Sequence, residues 1–120
     1  MKPVTKGLLL LCLVSSIGCK EAFVKSLDKD QVVLMAPGDN VVSNESQQNF
    51  FWQPVDTSIE YEFQIVSPSF DSVASLVIDT TVSANLFPYA LDSGRYQWRV
   101  RAFNTVSSTP FSTAWAITIN

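Results

Sequence analysis

Arg95-Tyr96-Gln97-Trp98-Arg99-Val100-Arg101-Ala102-Phe103 alternates without a break. Tyr96, Trp98, Val100 and Ala102 fall on one side of the chain, and Arg95, Gln97, Arg99 and Arg101 on the other. Successive side chains of a strand point to opposite faces, so this period of two reads as a strand with an apolar face inward and a basic face in water. A second stretch, Ile59 to Val66, repeats the pattern with the charge reversed. Tyr61, Phe63 and Ile65 share one face; Glu60, Glu62 and Gln64 share the other. Opposite charges on directly paired strands contribute ~0.2–1 kcal/mol each. The two stretches are therefore expected to be neighbours in a three- or four-stranded sheet. Their arginines then serve a solvated ladder, in preference to a stripe binding sulfate or carboxylate.

Working outward, the rest of the chain after residue 30 is built from short runs of the same kind. Val32 to Met35 stops at Ala36-Pro37-Gly38-Asp39-Asn40, and Asn49 to Gln53 stops at Pro54. Proline and glycine end strands in this way. Ser75 to Val82 is rich in the β-branched residues that strands prefer. Asn85 to Ala90 contains Pro88, which assigns it to a sheet edge. Thr113 to Asn120 aligns Trp115, Ile117 and Ile119. These are seven strands with no helical period between them, which predicts an all-β, seven-stranded β-sandwich. Trp52, Trp98 and Trp115 all fall on inward faces. Such large side chains supply much of the core that a domain of this size needs.

Composition excludes several alternatives. The 120 residues suit one domain, and 47% hydrophobic against 16% charged residues excludes a disordered tail. Lys plus Arg is 8, Asp plus Glu is 11, and the net charge is −3, which argues against a nucleic-acid partner. There is no histidine, so the commonest metal ligand and neutral-pH base are both missing.

The N-terminus reads as an address. Lys2 and Lys6 form a positive head, an apolar run follows from Gly7, and small residues lead to Cys19, the layout of a secretory signal peptide. Gly7 to Gly18 is short of the roughly 18–20 apolar residues that span a bilayer. Ser16-Ile17-Gly18-Cys19 resembles the lipobox of bacterial lipoproteins, with Ser16 where leucine is usual. That resemblance implies acylation of Cys19, cleavage before it, and membrane attachment through the acyl groups. Cys19-Lys20-Glu21 also resembles the export signal of surface lipoproteins in Bacteroidota. An outer-membrane anchor is therefore expected, with the outward face favoured over the periplasmic one. Cys12, Lys2 and Lys6 leave with the signal, so one cysteine remains and no internal disulfide can form. Six bases against eleven acids give the mature chain a net charge of −5. The expected organisation is a signal peptide over 1–18, a lipidated tether over 19–30 and a sandwich over 31–120. Fully extended, a tether of about eleven residues reaches at most ~37 Å.

A further resemblance covers Val32 to Ile119. Phe50-x-Trp52 before Pro54, Tyr61-x-Phe63-x-Ile65 and Leu91-x-x-Gly94-x-Tyr96-x-Trp98-x-Val100-x-Ala102 look like a fibronectin type III domain. Tyr96 resembles the tyrosine corner of that family, with one residue fewer than usual between the glycine and the tyrosine. The resemblance implies an immunoglobulin-like sandwich that interacts with proteins or glycans.

No catalytic constellation accompanies it. The mature lysines, 20, 25 and 29, lie in the tether, and no serine sits in a Gly-x-Ser-x-Gly turn. Asp71, Asp79 and Asp92 read as turn and strand-end acids, and Pro37-Gly38-Asp39-Asn40 as a turn instead of a calcium loop. An enzyme, a cofactor and a metal are not expected. The aromatics left off the inward faces, Phe51, Phe70, Tyr89, Phe103 and Phe111, are the candidate ligand contacts, and the edge near Phe87 and Tyr89 is a candidate for strand addition. The function expected is protein binding or scaffolding in the cell envelope; the alternative is a glycan-binding accessory lipoprotein of a polysaccharide-utilisation system. A glycan binder should expose a planar row of aromatics, and a subunit of a complex a contiguous apolar patch.

Overall fold

In a computed structural model describing residues 26–58 and 60–120, the described residues form eight strands. They are β1 (Leu34–Ala36), β2 (Val41–Ser43), β3 (Gln47–Trp52), β4 (Glu60–Pro68), β5 (Val73–Val82), β6 (Leu86–Ala90), β7 (Gly94–Phe103) and β8 (Trp115–Ile119). A three-stranded sheet has the order β1-β3-β6, and a five-stranded sheet the order β2-β8-β7-β4-β5. The inner faces of these two sheets enclose one core, giving an all-β sandwich. The signal peptide, Cys19 and most of the expected tether lie outside the described residues.

The expected pairing of the two alternating strands organises the larger sheet. β4 and β7 run antiparallel, with Glu62 opposite Arg101 and Gln64 opposite Arg99. This register puts Phe63 against Val100 and Ile65 against Trp98, so both apolar sets face the same way. Facing them from β3, Phe50 meets Trp98 edge-on at 5.0 Å and Phe63 at 5.2 Å, while Trp52 stacks on Phe63 at 5.8 Å. Aromatic pairs in these geometries contribute ~0.5–1.5 kcal/mol beyond their buried area. Trp52 and Trp98 are fully buried, whereas Trp115, at the start of β8, is only partly so and meets Trp98 edge-on at 6.2 Å.

The seven expected strands become eight because of β2. Three residues are too few to display a period, and tertiary contacts make this strand. Asp39 accepts the Ala116 N–H at 2.8 Å, and the Asn40 N–H donates to the Ala116 carbonyl at 2.8 Å. Asn40 adopts φ 63°, a left-handed conformation that asparagine tolerates. The Pro37–Asn40 turn is thereby fastened to β8, and β2 is laid parallel to it, Val41 beside Ile117.

The core also takes in a residue from before the expected start of the sandwich at residue 31. Leu27, placed in the tether by its charged surroundings, is fully buried in the core. Its N–H donates to the Ser107 hydroxyl at 2.7 Å, and its carbonyl closes a turn with the Asp30 N–H at 3.0 Å. In sequence Leu27 has Phe23 four residues before it, a helical spacing, but its partners in the core are supplied by the strands of the sandwich.

The tyrosine corner forms despite the shortened spacing. Tyr96 donates its hydroxyl hydrogen to the Asp92 carbonyl at 2.7 Å. Gly94 adopts φ 154°, and a β-carbon there would lie 3.3 Å from the Tyr96 hydroxyl, so the tighter turn depends on glycine.

One edge of each sheet is guarded. β6 is an edge strand, as Pro88 indicates, but its two-residue period runs on through the proline. Phe87 and Tyr89 therefore both turn inward, stacked at 6.0 Å and packed on the core. This corrects the expected position of Tyr89 off the inward face, and it leaves the β6 edge with a proline that offers no N–H for strand addition. β5, the long edge of the other sheet, carries two register shifts opposite β4. Such bulges twist an edge away from further pairing.

Candidate functional site

The outer face of the five-stranded sheet carries the arginines of β7, and two loops lay aromatic rings over them. The first ring comes from the β4–β5 connection. The Ser69 hydroxyl accepts the Ser72 N–H at 3.2 Å to form a tight turn, and the Phe70 N–H donates to the Gln97 side-chain oxygen at 2.9 Å. Gln97 thus holds Phe70 down on the sheet, with its ring centre 4.0 Å from the Arg99 guanidinium.

The second ring depends on the β7–β8 connection, which runs beside β7 before β8 begins. Thr109 and Ser112, both buried, use their hydroxyls to accept the Ala102 N–H at 3.0 Å and the Val100 N–H at 3.1 Å. Their own N–H groups donate back to the Ala102 and Val100 carbonyls, at 2.8 Å each. This segment therefore satisfies the β7 backbone in place of a strand, and β8 starts at Trp115, later than the expected Thr113. With Thr109 and Ser112 pinned inward, Phe111 projects outward, its ring 4.2 Å from the Arg99 guanidinium and 4.9 Å from that of Arg101.

Arg99 is thus held between two phenylalanine rings. Its Nε donates to the Gln64 oxygen at 2.8 Å, and the Gln64 amide donates to Asp79 at 3.0 Å, joining β7, β4 and β5 in a row. Alongside, Arg101 grips Glu62 through Nε at 2.8 Å and Nη2 at 2.7 Å. The arginine side chain is 40% exposed and the glutamate 18%, so the pair lies at the water boundary and is screened by it. The ladder expected from the sequence is present at Glu62 and Arg101, and the charges of Arg99 and Arg101 are engaged by protein groups, while Arg95 stands exposed opposite Thr118.

At the end of this face, Phe103, Arg101, Glu62, Thr81, Asn104 and Ser107 line an open groove of about 530 Å³. Asn104 shapes it by accepting the Val106 and Ser107 N–H groups at 3.0 and 2.9 Å. Of the aromatics singled out in the sequence, Phe70 and Phe103 come to this face together with Phe111. Phe51 lies on the opposite sheet, 38% exposed, and Tyr89 is half-buried, packed against the core. Cys19 is outside the described residues. Sequence reasoning passed over Arg99 as a stacking centre, because the rings that enclose it are 29 residues before and 12 after it. The groups on this face stack, hydrogen-bond and pair. Among the described residues no three His, Cys, Asp or Glu gather as a metal site.

No protein-family model matches the sequence, and no curated protein matches it either. Solved structures do resemble the fold. The fibronectin type III domain derived from the human KIAA0970 protein matches with a TM-score of 0.58 at 16% identity, covering 85% of this chain and 82% of that one. The domain of human fibronectin type III domain containing protein 3 matches at 0.52 and 13% identity, covering 82% and 92%. The sixth such domain of that human protein matches at 0.50 and 17% identity, covering 74% and 81%. With its two-sheet topology, its tyrosine corner and these likenesses, the chain is a β-sandwich of the fibronectin type III-like fold.

Proposed function

We propose that this chain is a lipid-anchored, non-catalytic binding module of the bacterial outer membrane. It is attached through acyl groups on Cys19, faces outward, and presents the outer face of its five-stranded sheet to a protein. One observation carries the choice of face: Arg99 held between Phe70 and Phe111, with Arg101 and Phe103 beside it. Arginine and aromatic side chains are enriched at protein interfaces, and a face already ordered by stacking and hydrogen bonds loses little entropy on contact. The neighbouring folds support a binding or scaffolding role without chemistry.

A glycan accessory fits this face less well. Sugar rings need free aromatic faces, and the Phe70 and Phe111 rings each have the Arg99 guanidinium over them.

Two measurements on the producing cells test this reading. Mass spectrometry of the mature chain should show acyl mass on Cys19, and Cys19→Ala should leave the membrane fraction; an unmodified, soluble wild type refutes the anchor. A photo-crosslinking residue in place of Phe103 should give one discrete protein adduct that Arg101→Glu abolishes. The same residue in place of Asn49, on the other sheet, should give none. Equal labelling from both positions refutes the choice of face.

A further inference from the structure

The two outer faces of the sandwich differ in charge. β4, β5 and β7 carry Glu60, Glu62, Asp79, Arg95, Arg99 and Arg101. β1, β3 and β6 read LMA, QQNFFW and LFPYA, without one charged residue. On the outside of that uncharged sheet stand Val33 at 50%, Met35 at 46%, Phe51 at 38% and Leu86 at 50% exposure. Register places them together. Phe51 pairs with Leu86 on one side and with Ala36 on the other, Met35 lies in the irregularity between Leu34 and Ala36, and the Val33 carbonyl accepts the Gln53 N–H at 2.9 Å.

This patch lies at the pole of the sandwich where the chain enters. Trp52 ends β3 next to Tyr61 near the start of β4, the rings 5.4 Å apart, and Glu60 pairs with Phe103 at the end of β7. Leu27 is bound at the same pole, to Ser107 just beyond Phe103. Because Leu27 is fixed in the core, the chain from Cys19 to Ser26 alone can span the distance to an anchor, and seven extended steps reach only ~25 Å. A sandwich held that close can lay one of its sides on the bilayer. Asp30 and Asp56 share a cavity with Val33 at the tip of the pole, so the tip is acidic, and a mature chain of net charge −5 is not drawn to anionic lipid. Apart from these two acids at the Val33 corner, the uncharged sheet is the side that meets a lipid surface without a desolvated charge.

We infer that Val33, Met35, Phe51 and Leu86 form a membrane-seating face, which lays the three-stranded sheet on the lipid and turns the Arg99 face outward. This rests on the anchor reading above, and its test supplies the anchor chemically so that the two can fail separately. Residues 19–120 contain all the described sandwich, with one thiol, Cys19, and one methionine, Met35. Coupling Cys19 to a maleimide lipid in phosphatidylcholine vesicles tethers the chain whether or not cells acylate it. Met35 sulfoxide formation by chloramine-T, a charged oxidant excluded from lipid, is then followed by mass spectrometry against the uncoupled chain.

Coupling should slow Met35 oxidation severalfold, because the oxidant reaches the thioether only through water. The protection should not change when the chains are diluted on the vesicle surface, and Phe51→Asp with Leu86→Asp should abolish it while thermal unfolding stays cooperative. Equal rates for coupled and free chains overturn the inference. So does protection that fades on dilution, which would identify a second copy as the occupant, and so does protection that survives the double aspartate variant.

Discussion

Replacing Leu27 with alanine tests where the domain begins. The side chain is fully buried among core residues, although four of the five residues from Leu27 to Gln31 are polar or charged. Leucine-to-alanine changes in cores cost ~2–5 kcal/mol, the lower values belonging to sites that can collapse around the cavity. Leu27 is held by backbone bonds to Ser107 and Asp30 and lies at the pole of the sandwich, where neighbours can close in on a cavity, so ~2–3 kcal/mol is the expected loss. The Leu27 N–H bond to the Ser107 hydroxyl is a backbone interaction that alanine keeps, so the change isolates burial. In a domain of this size each kcal/mol lowers Tm by ~4–8 °C, giving a fall of ~10–20 °C. The assay is calorimetry of residues 19–120, with urea unfolding as a check and Val33→Ala as the control. Val33 is half-exposed, and its change should stay within ~0.5 kcal/mol. If Leu27→Ala shifts Tm no more than Val33→Ala does, Leu27 belongs to the tether after all. The ~25 Å limit on the distance to the membrane would then fall with it.

Two further outcomes concern the corner and the ladder. Tyr96→Phe removes a hydroxyl donated to the Asp92 carbonyl and should cost ~1 kcal/mol in urea unfolding. Burial, then the charges of Asp92 and Tyr89, raise the Tyr96 pKa above its usual 10.0, so the folded chain keeps a proton that the unfolded chain releases. The stability from this shift is therefore present below pH 10.0 and lost as pH rises through the raised value. Between about pH 9 and about pH 11 the wild type should lose more stability than Tyr96→Phe, and parallel losses would contradict the assignment. For the ladder, a double-mutant cycle of Glu62→Ala and Arg101→Ala should give a coupling of ~0.2–1 kcal/mol that shrinks in high salt. A coupling that salt leaves unchanged would mean that packing holds the pair.

Most of the strand positions were legible because β4 and β7 carry their own period and their own charges. Tyr61, Phe63 and Ile65 on one strand, and Tyr96, Trp98 and Val100 on the other, declare an inward face, and Glu62 and Arg101 declare the pairing. Pro88 correctly marked an edge, but it did not reverse the alternation around it, which is why Tyr89 packs, half-buried, against the core. The candidate site was legible in part. Phe70 and Phe103 stood out as aromatics without an inward place, yet nothing local distinguished them from Phe51, which the fold sends to the opposite sheet.

What the sequence alone determined was whatever repeats along the chain: the two-residue period, the sign of charge on each face, and the stops at proline and glycine. Tertiary structure decided whatever depends on residues distant in sequence. β2 exists because Asp39 and Asn40 bond to Ala116, and Leu27 enters the core because Ser107 holds its backbone. Arg99 becomes a stacking centre only once Gln97 fixes Phe70 and the buried Thr109 and Ser112 turn Phe111 outward. Periodicity reports the environment of a strand because neighbouring residues share it. A single side chain that fills a space left by strands far away in sequence has no such neighbours, and its role is fixed by the assembled sandwich.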